Sequence, residues 1–285
     1  MVDPDLERAS AIAKLIGAEA VGSLDDAFDE IDAAIVAAPS ELHLPLGLQL
    51  IKAGKHVLIE KPIATTVQDA ELLVDAAERA GVTLMVGHVE RFNPAVLHLD
   101  QVVHDPVHLS ASRISPYSPR ISIGVVMDLM IHDLDIVLAL ARSTVREVAA
   151  VSRTLRSSTE DLCSVVLQFE NGVTADLTAS RIGQQKIRAL AITQPDNYVS
   201  VDLLRQDVTI NRVDYSEYVS TEGSRYRQSG MVEIPFLEFR GEPLFLEQQE
   251  FVRAVTTQSE PRVTGAQGTA ALRLAHRVLA AAGAD

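Results

Sequence analysis

The sequence predicts an α/β half followed by an α+β half: a parallel sheet with helices on both faces, then a domain built on an open, mainly antiparallel sheet. Three observations predict it. Short apolar runs, AAIVAA (33–38), HVLIE (56–60) and TLMVG (83–87), alternate with helical patterns of ten or more residues, as βαβ units require. From 145 to about 239 the pattern changes to short alternating strands, with turns at Glu170-Asn171-Gly172 and Pro195-Asp196-Asn197. Two helical patterns, 242–256 and 267–282, close the chain.

In order, LERASAIAKLIG reads as an amphipathic helix, and SLDDAFDEI (23–31) as the centre of an acidic one. The strand AAIVAA leads through ELHLPLGLQLIKAG, a helix, to HVLIE, which Pro62 ends. A helix over 67–80 and the strand TLMVG complete the first domain, 1–87. The second domain, 88–285, starts with HVERFNPAVLHLDQVV as a crossover helix and VHLSASRISP as its first strand. A long helix over 124–141 follows, and then the strands VREVAAVSRTL, DLCSVVLQF, GVTADLTASRI, KIRALAIT, YVSVDLL and DVTINRV.

Composition bounds the function. With 47% hydrophobic and 22% charged residues the 285-residue chain is an ordinary globular protein, and its net charge of −14 argues against nucleic-acid or anionic-membrane partners. Cys163 is the only cysteine and alternates as a buried strand residue, so no intrachain disulfide forms and a reducing compartment, the cytoplasm, is expected. No apolar run reaches membrane-spanning length, and the acidic N-terminus does not read as a signal peptide.

A dinucleotide-binding half opens with a strand, a glycine-rich turn and a helix before its second strand, which ends in an acidic residue. Val2-Asp3 reads as the end of that second strand. The first half is therefore expected to be an N-terminally truncated Rossmann-type sheet, with a unit of roughly 30 residues missing through a misplaced start or truncation of a longer enzyme. Gly265 and Gly268 read as the start of a helix rather than a phosphate cradle.

Two stretches carry chemistry. In AGKHVLIEKPIATT, Lys61 follows a buried strand whose carboxyl end opens on the crevice where ligands bind in such sheets. In GVVMDLMIHDLDIVLALA, helical spacing puts Asp128, His132 and Asp135 at i, i+4 and i+7, beside an apolar stripe of Met127, Ile131, Leu134 and Leu138. A carboxylate at that spacing can orient the imidazole and raise its proton affinity, as a general base requires. His43 follows a buried strand and could line the same crevice. His98, His104 and His108 lack metal-ligand spacing, so no metal is expected. Arg113, Arg120, Lys186 and Arg188 would attract a phosphorylated substrate if they faced the cleft.

AAPSELH, AGKHVLIEKP, VGHVERFNP and the D-x-x-x-H of MDLMIHDLD together resemble the glucose-fructose oxidoreductase / inositol dehydrogenase / MocA family of nicotinamide-dependent sugar dehydrogenases. Within it, GHVERFNP, GVVMDLMIHDLDI and TASRIGQQKIRALAIT are most similar to the UDP-N-acetylglucosamine 3-dehydrogenase group. The resemblance implies Lys61, Asp128 and His132 as the catalytic set, and Asp3, Ala38, Pro39, Ser40, His43, Glu60, Lys61 and Pro62 as cofactor-binding. Together with the charge pattern it leads to Lys61, Arg113, Arg120, His132 and Lys186 as the expected contacts of the substrate, a nucleotide-linked sugar or polyol. NAD is expected over NADP, because Asp3 would repel a 2′-phosphate. The resemblance also implies a homo-oligomer paired through the C-terminal sheet. Two rivals stand beside the sugar-nucleotide dehydrogenase: an inositol or polyol dehydrogenase, and a non-catalytic binding or assembly subunit, which the absent glycine loop would favour.

Overall fold

The computed structural model describes residues 1–119, 121, 123–220, 223–238 and 241–283, with backbone alone over 217–220 and 223–226. Asp5 accepts from the Arg8 N–H to start α1 (Leu6–Ile16), and Gly17, at φ 67°, ends it. The first sheet follows as β1 (Ala33–Val36), α2 (His43–Lys52), β2 (His56–Glu60), α3 (Val67–Ala80) and β3 (Leu84–Gly87). Its strands are parallel in the order β1-β2-β3, with Leu58 opposite both Ile35 and Met85. Val57, Leu58 and Ile59 are fully buried, which is why this strand reads as an unbroken apolar run. Thr66 caps α3, whose Ala70, Leu73 and Ala77 face the core, and Gly47 lets α2 approach Leu73 where a Cβ would meet it at 2.7 Å.

Among the described residues β1 pairs on one edge only, and Ile35 is 45% exposed there. Val2 lies beside Val21 through a single parallel bridge, consistent with Val2-Asp3 as a strand end.

The second half contains α4 (Pro94–Val102), β4 (His108–Ile114), α5 (Ile131–Ala141), β5 (Val145–Arg153), β6 (Leu162–Phe169) and β7 (Thr174–Ser180). It continues through β8 (Ile187–Thr193), β9 (Tyr198–Asp202), β10 (Asp207–Ser220), β11 (Gly223–Glu233), α6 (Pro243–Thr257) and α7 (Gly265–Ala281). The eight strands run β11-β10-β9-β8-β4-β7-β6-β5, antiparallel except where β4 pairs with β7. One face is packed against α4, α5 and α7, and the other is open. Helix α7 joins the halves: Leu272 packs with the first core, while Ala271, Leu274 and Val278 pack with the second.

Three expectations need correction. The acidic stretch 23–31 is a turn with a short 3₁₀ segment, Phe28–Glu30, because closely spaced Ser and Asp side chains favour turns; Leu24 and Phe28 still reach the core. The crossover helix is broken: Val89–Phe92 is 3₁₀, Asn93 caps the next helix through the Ala95 N–H, and Pro94 sits in its first turn. The last strands are longer than DVTINRV, since β10 and β11 form a hairpin over 207–233.

Candidate active site

The carboxyl end of β2 delivers Glu60 and Lys61, and Pro62 follows through a cis peptide bond. Buried His43 braces this turn, its Nδ1 lying 2.8 Å from the Pro62 carbonyl oxygen and its Nε2 2.9 Å from that of Ala38. Its ring bridges the ends of β1 and β2, the ring N–H donating to one of these two carbonyls, so it shapes the crevice. Pro39 and Ser40 lead from β1 into a 3₁₀ turn, Ser40–Leu42, at the same end of the sheet. Asp3 accepts from Arg8 Nη2 at 2.6 Å and from the Asp5 N–H at 2.9 Å, and the Arg8 guanidinium holds its carboxyl below the usual range.

The other wall is the segment before α5. Instead of one continuous α-helix, residues Val126–Met130 form a π turn, a wider coil with i→i+5 bonds. Glu160 caps it: its Oε1 accepts the Val126 N–H at 3.1 Å and its carbonyl the Val125 N–H at 3.1 Å. A Cβ on Gly124 would overlap that carboxylate, so any other residue there would displace Glu160 from the cap. Arg181, 2% exposed, donates to the Ile123 carbonyl and lies 4.0 Å from Asp128 Oδ2.

Lys61 spans the two walls. Its Nζ donates to the Asp128 main-chain oxygen at 2.9 Å and lies 3.9 Å from Asp128 Oδ1. Burial pushes the ammonium's pKa down, Asp128 and Glu60 oppose this, and Arg113 adds to it. His132 points into the same region, with Nδ1 sealed from solvent and unpartnered, so Nε2 is its accessible nitrogen. Burial, then the charges of Lys61, Arg113, His88 and Arg188, hold its pKa well below the ordinary value. His88, which follows β3, stands edge-on to it with ring centroids 6.3 Å apart.

The structure thus brings Lys61, Asp128 and His132 together but rearranges their relations. The expected Asp128–His132 hydrogen bond is not made: the π turn leaves Asp128 beside Lys61 and Arg181, and burial first, then the surrounding cations, lower the proton affinity of His132 instead of raising it. Asp135, expected on the same stripe, is buried against Arg91 at 3.3 Å. Arg113, expected at the substrate, is committed to buried carboxylates. It is 2% exposed, forked onto Asp133 through Nε at 2.9 Å and Nη2 at 2.7 Å, and bound to Glu90 at 2.8 Å. Arg188 also binds Glu90, at 2.7 Å, with its side chain 31% exposed. Lys186 is exposed on the β7–β8 loop, and Arg120 lies outside the described residues. His108 sits on the open sheet face against Asp176 and Thr174, and no three His, Cys, Asp or Glu side chains among the described residues converge as a metal site. Sequence reasoning missed His88, Glu160 and Arg181. The argument that singled out Lys61 at the end of β2 would also have found His88, just past the end of β3.

Residues 1–88 match the model of an oxidoreductase family with an NAD-binding Rossmann fold, and residues 95–193 that of the GFO/IDH/MocA C-terminal domain. UDP-N-acetylglucosamine 3-dehydrogenase from Acidithiobacillus ferrooxidans is 34% identical over 210 residues, 73% of this chain and 67% of that protein. A solved structure of that enzyme superposes with a TM-score of 0.88 at 30% identity, covering 98% of this chain and 88% of the other. Myo-inositol 2-dehydrogenase from Thermotoga maritima is 26% identical over 86% of this chain and 76% of its own. With both halves matched in order and the Lys61 and His132 walls in place, the chain belongs to the GFO/IDH/MocA oxidoreductase family.

Proposed function

We propose that the chain oxidises a secondary alcohol of a UDP-linked sugar, at C3 of UDP-N-acetylglucosamine or a close relative, with NAD as hydride acceptor. The observation that carries the reaction class is the Lys61 Nζ to Asp128 O bond, which ties an ammonium to the π turn that leads into His132. The similarity to the Acidithiobacillus ferrooxidans enzyme supports the substrate.

The residues fit the two ends of a dinucleotide. Lys61, Pro62 and the Ala38–Pro39–Ser40 turn, all at carboxyl strand ends, suit the nicotinamide end, with Glu60 and His43 supporting that turn. Asp3, partly exposed at the Val2 bridge, suits the adenosine ribose and favours NAD over NADP. Among the described residues no glycine-rich helix start fits the pyrophosphate, so none is assigned to it. NAD, when bound, supplies the acceptor for the hydride.

His132 Nε2 takes the hydroxyl proton as the carbon loses hydride and the C–O bond becomes a carbonyl. Lys61 stabilises negative charge developing on that oxygen. Asp128 sets the electrostatics of Lys61 rather than the orientation of His132. Arg188 and Lys186 are the cations left for the substrate's diphosphate. The open sheet face, with Tyr198, Val213, Tyr215 and Val232 exposed, pairs subunits in a homo-oligomer. Residues 1–87 act as the cofactor domain and 88–285 as the substrate and assembly domain. No helix among the described residues is long and apolar enough to cross a membrane, and a cytoplasmic setting suits the buried, lone Cys163.

The test is NADH formation with UDP-N-acetylglucosamine against myo-inositol, in this chain and in a version joined in frame to a glycine-rich strand-turn-helix unit. UDP-sugar oxidation that falls roughly a hundredfold in His132→Ala, with NAD binding retained, is the expected result. Oxidation of the polyol alone would replace the substrate, and NAD binding without turnover of either would favour an assembly subunit.

A further inference from the structure

Three ring nitrogens at the site are sealed from solvent without a partner among the described residues: Nδ1 of His132 and both nitrogens of His88. Buried polar atoms are rarely left so. The rings stand at 88° with centroids 6.3 Å apart, a spacing that one water can bridge. His88 is brought there by register, because Glu60 pairs with Gly87 across β2 and β3 and the next residues are Lys61 and His88.

A neutral imidazole carries one proton, so Nε2 of His132 can accept another only if the resident proton sits on Nδ1. That N–H then needs an acceptor, and more so once the ring is charged. The neighbouring carboxylates are committed elsewhere: Asp128 faces Lys61 and Arg181, Asp133 holds Arg113, and Asp135 holds Arg91. We propose that His88 is the acceptor for the His132 Nδ1–H, across one bridging water, and so fixes the tautomer that leaves Nε2 free as the base. His88 is thus a positioning residue in a histidine–histidine pair. Burial disfavours the charged form of both rings, which leaves His88 a lone pair to offer.

This inference rests on His132 being the base, yet its test does not depend on turnover. Nitrogen-15 NMR of the histidine-labelled chain at neutral pH, with His132 assigned by its loss in His132→Gln, reads the tautomer directly. The expected wild-type state is a neutral ring with the proton on Nδ1. In His88→Phe the proton should move largely to Nε2, whereas in His88→Gln, whose amide oxygen accepts, it should stay on Nδ1. His88→Leu serves as a second apolar replacement if the Phe variant does not fold. A wild-type proton on Nε2, or an unchanged tautomer in the apolar variants, overturns the proposal. A normal turnover in His132→Ala would instead overturn the base assignment and leave the tautomer result standing.

Discussion

Replacing Arg113 by methionine separates its two possible roles. Arg113 is buried with Asp133 and Glu90, which are 4% and 5% exposed, so the change strands two carboxylates in the core. Burial works against the charged guanidinium, yet Asp133 and Glu90 more than offset it and hold its pKa above the ordinary range. Removing one member of such a buried group costs about 3–5 kcal/mol. Arg188 still holds Glu90 at 2.7 Å, which puts Arg113→Met near the lower end, about 3 kcal/mol. For a chain of this size that is a fall in Tm of about 6–12 °C. Urea denaturation and thermal scans measure both, with the urea slope unchanged. Adding Asp133→Leu should restore much of the loss, because exchanging a buried pair for apolar groups is often neutral. A loss below about 1 kcal/mol with a raised sugar-nucleotide KM would refute this reasoning and return Arg113 to the substrate.

Further outcomes follow from the site's charges. Asp128→Asn leaves the main-chain bond to Lys61 but removes the charge that supports the ammonium, so the alkaline limb of kcat/KM should move to lower pH; an unmoved limb would detach Lys61 from that limb. His88 and His132 have pKa values depressed from 6.5, so the unfolded chain binds more protons below that pH. Their contribution to stability is present above pH 6.5 and is lost as pH falls toward the folded values, which a Tm series in His88→Phe, losing less than wild type on acidification, should show. Glu247 behaves oppositely: it is fully buried, its oxygens have no hydrogen-bond partner among the described residues, and burial followed by Glu60 pushes its pKa from 4.5 up to about 8. There the folded chain binds more protons, so stability falls as pH rises from 4.5 through about 8, and Glu247→Gln should gain on wild type across that window. A constant difference between the two would exclude this titration.

The parallel sheet was legible because fully buried strands leave apolar runs with sharp ends, as HVLIE does before Lys61 and Pro62. The β10–β11 hairpin was not, since 214–216 and 227–233 lie largely on exposed surface and carry few apolar residues to mark a period. Nor could Arg113 be placed, because its partners Glu90 and Asp133 lie 23 and 20 residues away on other elements. A cation facing a cleft and one neutralised in the core look alike in a sequence.

The Asp128–His132 relation failed for a geometric reason. Spacing i, i+4 puts two residues on one face only if 3.6 residues make each intervening turn. The π turn Val126–Met130 admits an extra residue, and one residue of helix is about 100° of rotation, so the two side chains part. In an unbroken α-helix the Asp128 carbonyl would accept the His132 N–H; in the widened turn that oxygen takes the Lys61 ammonium at 2.9 Å. The distortion therefore links the halves of the molecule, Lys61 on the cofactor side with the helix that carries His132. It also leaves His132 without a carboxylate to orient it, and the nearest imidazole stands in for one.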